Sequence, residues 1–458
     1  MSYRKLFSRL RNFTRPLRNY SGRNMMRVAE RGMINDIFPK TASQDIIDLC
    51  NAAPQCVYAG FDPTADSLHI GNLLVLMNLL HWHRGGHEVI ALIGGATARV
   101  GDPSGRTKDR DEQHEQVVRA NVKSIAENIK RVFDNHKTYF FKDDRPLIPI
   151  KVVDNASWYK EKNVVDFICT VGRNFRMGTL LNRSSVEARL ASENGMSYTE
   201  FSYPIFQAYD WLHLLTQYNC RFQVGGSDQM GNIMSGYELI TRIHGKPVFG
   251  ITVPLITTTS GDKFGKSAGN AIWLDAGKTS PFDFYQYFVR CPDDKVEDLL
   301  NYLTFSPPGA IKEMMRVHRS RPEDRTAQRF LAKQVTMLVH GEEGLTSAQR
   351  TSTAMYSNDL KMISELSADE VSSVFQGAPI VDILLRPGIT VKQCALAAKC
   401  FPTENDADRI ITAGGFYMNY NRTKNPEELL VPGVHILPNN VSLLRVGKRN
   451  FWIIRWLQ

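Results

Sequence analysis

The sequence predicts an α/β fold built on a parallel sheet. Two patterns carry that expectation. Short apolar runs of strand character alternate with helical periodicity at the length of βαβ crossovers, the arrangement that gives parallel sheets covered on both faces. Polar, glycine-punctuated stretches then follow the apolar runs: FDPTADSLHIG (61–71), GDPSGRTKDR (101–110) and GGSDQMGN (225–232). In such sheets ligands sit beyond the carboxyl ends of the strands, where helix N-termini offer N–H groups and a dipole that favour anions. One such turn is compatible with a plain surface loop, whereas three together imply a composite nucleotide site.

In chain order, residues 1–30 come first, with Arg4, Lys5, Arg9, Arg11, Arg15, Arg18, Arg23 and Arg27 against the single acid Glu30, and Leu6, Phe7, Leu10 and Phe13 interleaved. This arginine-rich, serine-containing, acid-poor composition is that of a mitochondrial transit peptide, and RNYSG suggests cleavage after Tyr20. A basic arm touching RNA is the other reading. Residues 55–60 then read as a strand, 71–84 as a helix stopped by Gly85-Gly86, and EVIALIGG (88–95) as the next buried strand. YPIFQAYD (203–210) puts Tyr203, Gln207 and Asp210 at i, i+4 and i+7, on one face of a helix. ITVPLITTTSGDKFGKS (251–267) reads as a strand and a turn carrying Lys263 and Lys266. Lysines on a glycine-containing loop suit a clamp on a polyphosphate. Residues 281–365 read as helices and QGAPIVDILLRPGIT (376–390) as a linker. ITAGGFYMNYNRTKN (411–425) and SLLRVGKRNFWIIRW (442–456) read as strand-and-turn segments of a compact C-terminal unit.

Composition excludes several classes. At 458 residues with 43% hydrophobic content, the chain can bury the cores of two or three domains. No apolar run reaches the roughly 18–20 residues of a membrane span. The seven cysteines form no C-x-x-C pair and suggest neither a disulfide framework nor a zinc site, which points to a reducing compartment. The formal charge of +9 lies almost wholly in residues 1–30, which leaves about +2 for the remainder. RNA affinity therefore has to come from local patches.

HIGN (69–72) and KFGKS (263–267) are similar to the HIGH and KMSKS signatures of class I aminoacyl-tRNA synthetases. With GFDPTADSLHIG, GDPSG, FSYPIFQAYD (201–210) and QVGGSDQMGN (223–232) in this order, the chain resembles the tyrosyl-tRNA synthetases of bacterial and mitochondrial type. The likeness is strong over about residues 45–270 and weaker near 388–458. Beside the transit peptide read from composition (1–30), it implies a class I, Rossmann-type parallel-sheet catalytic domain (31–278) with a dimer-forming insertion at about 150–200. An α-helical anticodon-side domain (279–375) and a small α+β RNA-binding domain (388–458) would follow. The implied activity is ATP-dependent attachment of L-tyrosine to tRNA(Tyr) through an adenylate, by a homodimer in the mitochondrial matrix. Mg2+ would accompany ATP, with no metal site in the protein itself and no membrane partner.

Amino-acid activation is an in-line attack of a carboxylate on the α-phosphate, so it needs positioning and charge stabilisation more than a general base. By resemblance, Thr64 and His69 contact the phosphates as the transition state forms, and Lys263 and Lys266 close over the leaving pyrophosphate. Asp62, Gly71, Asn72, Gly225, Asp228 and Ser267 complete the ATP side, with Asp228 at the ribose. Asn72 stands where the family signature has histidine, and its amide can offer a donor or acceptor near one ring-nitrogen position. On the tyrosine side, Tyr58 and Asp210 bond the phenol, Asp102, Tyr203 and Gln207 hold the α-ammonium, and Gln223 borders the pocket. Tyr58 with Asp210 argues against a tryptophan-specific sibling. Lys424, Arg445, Lys448 and Arg449, beside Phe416, Tyr417, Tyr420 and Phe451, are the candidate tRNA contacts. Ordinary surface charge on a small domain is the alternative there. A catalytically silent RNA-binding protein on the same scaffold is the competing class, and the intact His69, Asp102, Asp228, Lys263 and Lys266 count against it.

Overall fold

The computed structural model describes residues 22–104, 112–193, 195–255, 266–267, 270–357, 360–367, 370–371, 378–447 and 450–457. Two compact units divide the chain: residues up to Thr279 with Phe288–Gly341, and Ser280–Tyr287 with Glu342 onward. Among the described residues no helix is long and apolar enough to cross a membrane.

The first unit is organised on six strands: β1 (Asp36–Phe38), β2 (Cys56–Phe61), β3 (Glu88–Ile93), β4 (Lys151–Asp154), β5 (Cys220–Gly226) and β6 (Phe249–Val253). Their order across the sheet is β1-β6-β5-β2-β3-β4. β2 to β6 run parallel, and only β1 is antiparallel to its neighbour β6. Strands buried on both faces need continuous apolar runs, and EVIALI in β3 and FGITV in β6 supply them. The chain moves outward from β2 through β3 to β4 on one side and from β5 to β6 on the other. The topological switch therefore falls between β2 and β5, and the crevice opens at their carboxyl ends.

Three helices position the site. α1 (Ile70–Arg84) follows β2 and is apolar on all sides, as a helix inside a core must be: Leu73, Leu74, Leu76, Met77, Leu79, Leu80 and Trp82 are buried. α2 (Tyr198–Tyr218) starts at Ser197, whose hydroxyl accepts from Glu200 N, and ends at Asn219 in the left-handed region. α3 (Met230–His244) follows β5. Trp211, Ala208 and Leu214 of α2 and Ile233, Leu239 and Ile240 of α3 share one apolar cluster with Tyr58, Ile90 and Leu92 of the sheet. Burial of each large side chain there contributes about 1.5–3 kcal/mol.

The folded body begins before residue 31. Met25, Val28 and Arg31 are buried in a single 3-10 segment (Met25–Arg31). The Arg31 guanidinium donates to the carbonyls of Asn301, Thr304 and Ser306. His87 Nδ1 accepts from Gln55 N, which leaves Nε2–H to donate to the Arg23 carbonyl at 2.8 Å. A removed segment reaching residue 30 would take the buried Met25 and Val28 with it, and the Arg23 carbonyl that His87 bonds, so the folded body includes residues 22–30 of the stretch expected as a transit peptide. Residues 1–21 lie outside the described residues.

The second unit carries β7 (Ile380–Leu384), β8 (Phe416–Met418), β9 (Asn421–Thr423), β10 (Val441–Val446) and β11 (Asn450–Leu457) in the order β9-β8-β10-β11-β7. β7 pairs parallel with β11, and the other pairs are antiparallel. α4 (Val391–Ala397) and α5 (Glu404–Thr412) pack Cys394, Ala407 and Ile411 against Phe416, Leu444 and Ile454. The stretch expected as a linker therefore contributes an edge strand. Its prolines at 379 and 387 bracket a five-residue IVDIL whose residues alternate between exposed and half-buried. The helical stretch expected over 279–375 is divided between the units, and the helix Thr326–Ser357 is broken at the division by Gly341 at φ 72.

Candidate active site

At the switch point lies a cavity of about 500 Å³. Its walls include Tyr58, Asp62, Thr64, His69, Gly71, Asn72, Asp102, Tyr203, Gln207, Asp210, Gln223, Gly225 and Asp228. The cavity thus gathers the expected ATP-side and amino-acid-side residues whose side chains are described. Lys266 and Ser267 are described through their backbone, a two-residue strand paired with Asn270–Ala271. Lys263, Lys448 and Arg449 lie outside the described residues.

The floor is built around Asp210, buried on α2. Its Oδ1 accepts from Trp158 Nε1 and Tyr159 Oη, and its Oδ2 from Asn155 Nδ2, all at 2.9 Å. Burial pushes the Asp210 carboxyl up to about 7, against the pull of these three donors. A carboxylate offers about four lone-pair sites, so one remains, on Oδ2. Tyr58 stands on β2 between Ile90 and Gln223 in register. Its hydroxyl is buried without a hydrogen-bond partner among the described residues, and so is Gln223 Oε1. Burial, then the Asp210 charge, holds the Tyr58 phenol well above its ordinary range, so it remains a donor. Buried polar atoms are normally paired, and orphans converging on one cavity mark where a ligand's polar groups fit.

Asp62, at the end of β2, accepts from Tyr203 Oη at 2.9 Å and Thr97 Oγ1 at 2.8 Å. Its carboxylate comes so close to Gly94 that a Cβ there would collide with both Asp62 Oδ1 and Thr97 Oγ1. Asp102 accepts from Gln229 Nε2 at 2.7 Å and from Asn232 Nδ2 at 3.2 Å, which ties the loop after β3 to the start of α3.

The helix start beside β2 is a reciprocal cap. His69 Nδ1 accepts from Gly71 N at 3.0 Å, and Asn72 Oδ1 accepts from His69 N at 3.1 Å. An acceptor Nδ1 puts the ring proton on Nε2, where it is a donor suited to an anion at this N-terminus. A Cβ at residue 71 would come 2.8 Å from His69 Cε1, so glycine is required for this ring position.

The family described as tRNA synthetases class I (W and Y) matches residues 51–357. Over 443 residues the chain is 54% identical to the mitochondrial tyrosine–tRNA ligase of Drosophila melanogaster, with 96% of each protein covered. It is 49% identical over 433 residues to the mitochondrial tyrosine–tRNA ligase of Homo sapiens, covering 93% of this chain and 91% of that protein. A C-terminally truncated mitochondrial tyrosyl-tRNA synthetase of Aspergillus nidulans superposes with a TM-score of 0.66 at 33% identity, over 72% of this chain and 94% of that one. This chain belongs to the class I tyrosyl-tRNA synthetases.

For a tyrosyl-tRNA synthetase its signature departs at Asn72, and the cap explains how the departure is accommodated: the amide oxygen serves the backbone N–H of His69. Several residues of the synthetase floor escaped sequence reasoning. Asn155, Trp158 and Tyr159 lie within the stretch read as an insertion, yet all three bond Asp210. The available signal was DNASWY directly after the β4 run, the same strand-end position as the other polar clusters. Thr97 and Gln229, which hold Asp62 and Asp102, carried no separate signal. In the second unit Lys424 is exposed, and the Arg445 guanidinium lies 4.0 Å over the Tyr417 ring.

Proposed function

We propose that this synthetase activates L-tyrosine with ATP and transfers it to tRNA(Tyr) for mitochondrial translation, acting as a homodimer in the matrix. The choice of amino acid rests on the floor: the orphaned Tyr58 hydroxyl beside the one remaining acceptor site of Asp210. A phenol satisfies both at once, accepting from Tyr58 and donating to Asp210. Phenylalanine would leave both polar groups buried and unpaired, which costs more than the bond itself contributes.

In the first step the tyrosine carboxylate oxygen attacks the α-phosphorus and the bond to the bridging oxygen breaks, releasing pyrophosphate. His69 Nε2–H and Thr64 meet the phosphates at the start of α1, while Asp102, Tyr203 and Gln207 orient the α-ammonium. Asp228, with Gly225, Gly71 and Asn72, accommodates the nucleoside, and Lys263 and Lys266 with Ser267 neutralise the leaving pyrophosphate. Mg2+ would enter with the nucleotide, whose phosphate oxygens and waters could supply most of its ligands. In the second step a hydroxyl of the tRNA terminus attacks the tyrosyl carbonyl and AMP leaves.

The dimer is supported by an apolar surface: Val164, Val165 and Ile168 on the helix Val164–Thr170 are 69%, 63% and 51% exposed, with Met177 nearby at 60%. The deciding experiment is ATP–pyrophosphate exchange with each standard amino acid. Exchange with tyrosine alone is expected, and exchange with tryptophan, or with none, overturns the reading.

A further inference from the structure

Of the three donors on Asp210, Trp158 and Asn155 present N–H groups that can only donate. Tyr159 differs, because its hydroxyl lies 2.9 Å from Asp210 Oδ1 and also 2.9 Å from the Phe206 carbonyl. A hydroxyl carries one proton, so it serves one of these acceptors at a time. The ring is held in place by Phe167, Phe206 and Tyr209, with centroids 5.4–6.1 Å away, so the choice between the two acceptors is made by rotation of the proton and not of the side chain.

The geometry points to Tyr159 as a positioning residue for tyrosine recognition: its proton, directed at Asp210, holds that carboxyl in its acceptor form. Directed at Phe206, the same proton leaves a hydroxyl lone pair against Oδ1, an arrangement that favours a protonated Asp210 over the carboxylate. The protonated carboxyl is a weaker acceptor for the phenol, since hydrogen bonds to an ionised partner are about twice as strong as neutral ones. Tyr159 therefore acts through Asp210 and does not touch the substrate. The inference rests on the reading of Asp210 as the phenol acceptor.

The other titratable groups around this floor do not duplicate the effect. Tyr58 on β2 and Tyr203 on α2 are held protonated by burial, and Asp62 opposes ionisation of Asp210 by its charge. His213 stacks on Trp158 with centroids 4.3 Å apart, and burial followed by Lys162 lowers its affinity for a proton. Lys162 itself lies over the Tyr209 ring.

The test is Tyr159→Phe in the full chain, which keeps the aromatic packing and removes the proton. Tyrosine kcat/KM in pyrophosphate exchange is measured from pH 6 to 9 for both proteins, with melting temperature as a check on folding. The profile of the native protein should fall on the acid side near 7, following Asp210. In Tyr159→Phe the same limb should move up by about one to two pH units, the effect of losing one bond to a charged group. At pH 7.5 that is about a three- to twenty-fold loss of kcat/KM, carried by KM and largely recovered at pH 9. A loss of equal size at every pH, or no loss, would overturn the inference and leave Tyr159 as packing. Native protein without tyrosine-dependent exchange would overturn the functional reading, and this inference with it.

Discussion

Replacing Asp210 by asparagine preserves size and changes one atom from acceptor to donor. Natively, Oδ1 takes the protons of Trp158 and Tyr159, and Oδ2 takes that of Asn155. Turned one way, the new NH2 group faces the Trp158 N–H, which cannot reverse. Turned the other way, it faces the Asn155 NH2 group, which cannot flip to help because Asn155 Oδ1 already accepts from Ala96 N at 2.7 Å. This second orientation also puts a donor where the phenol needs an acceptor. A hydrogen bond to a charged group contributes about 1.5–3 kcal/mol, so the KM for tyrosine in pyrophosphate exchange should rise about 10- to 150-fold at pH 8. The phenylalanine KM should change far less, so the ratio of the two kcat/KM values contracts by a similar factor. The donor left facing a donor should also lower stability by about 1–3 kcal/mol, visible in denaturant unfolding. A tyrosine KM within about two-fold of native would refute the assignment of Asp210 to the phenol.

Gly94→Ala should displace the Asp62 carboxylate and break its bonds to Tyr203 and Thr97, lowering exchange kcat/KM by at least about ten-fold; near-native kinetics would show that Asp62 needs no fixed position. Acid should destabilise the first unit: burial, then neighbouring cationic groups, lowers His136 from 6.5 to about 2, and burial likewise lowers His81 and His83. The unfolded chain takes up these protons first, so stability is intact above 6.5 and declines as pH falls below it; His136 contributes about 1.4 kcal/mol per pH unit on the way down to about 2, and His81 and His83 add in the same direction. His136→Gln should flatten that slope in unfolding measurements between pH 6.5 and 5, and an unchanged slope would place the acid sensitivity elsewhere. Lys424→Ala with Arg445→Ala should weaken tRNA binding and reduce its salt slope by about one for each phosphate no longer neutralised; an unchanged slope would mean that the tRNA is held by other surfaces.

Much of the fold was legible because the two periodicities that build a parallel sheet are written directly in the sequence. CVYAGF, EVIALI and FGITV have no polar face to confuse them, and glycine pairs or an N-cap mark where the helices stop or start. The cavity-lining residues were legible for a related reason: strand ends place polar clusters at predictable points, and a helix places Tyr203, Gln207 and Asp210 on one side. What escaped was the support behind those residues. Thr97, Asn155 and Gln229 are ordinary polar side chains whose role comes from a partner 35, 55 or 127 positions away, a distance that no local period encodes. β7 escaped because an edge strand needs neither a continuous apolar run nor a length greater than five residues.

The three carbonyls gathered by Arg31 lie 270 to 275 positions further along the chain. Closing so long a loop costs about (3/2)RT ln n in chain entropy, which three bonds from one charged side chain help to offset. Without Arg31 three carbonyls would lose the bonds it donates, and unpaired buried acceptors lower stability. The arginine thus acts as a clasp that fastens the start of the folded body to a stretch more than half a chain away.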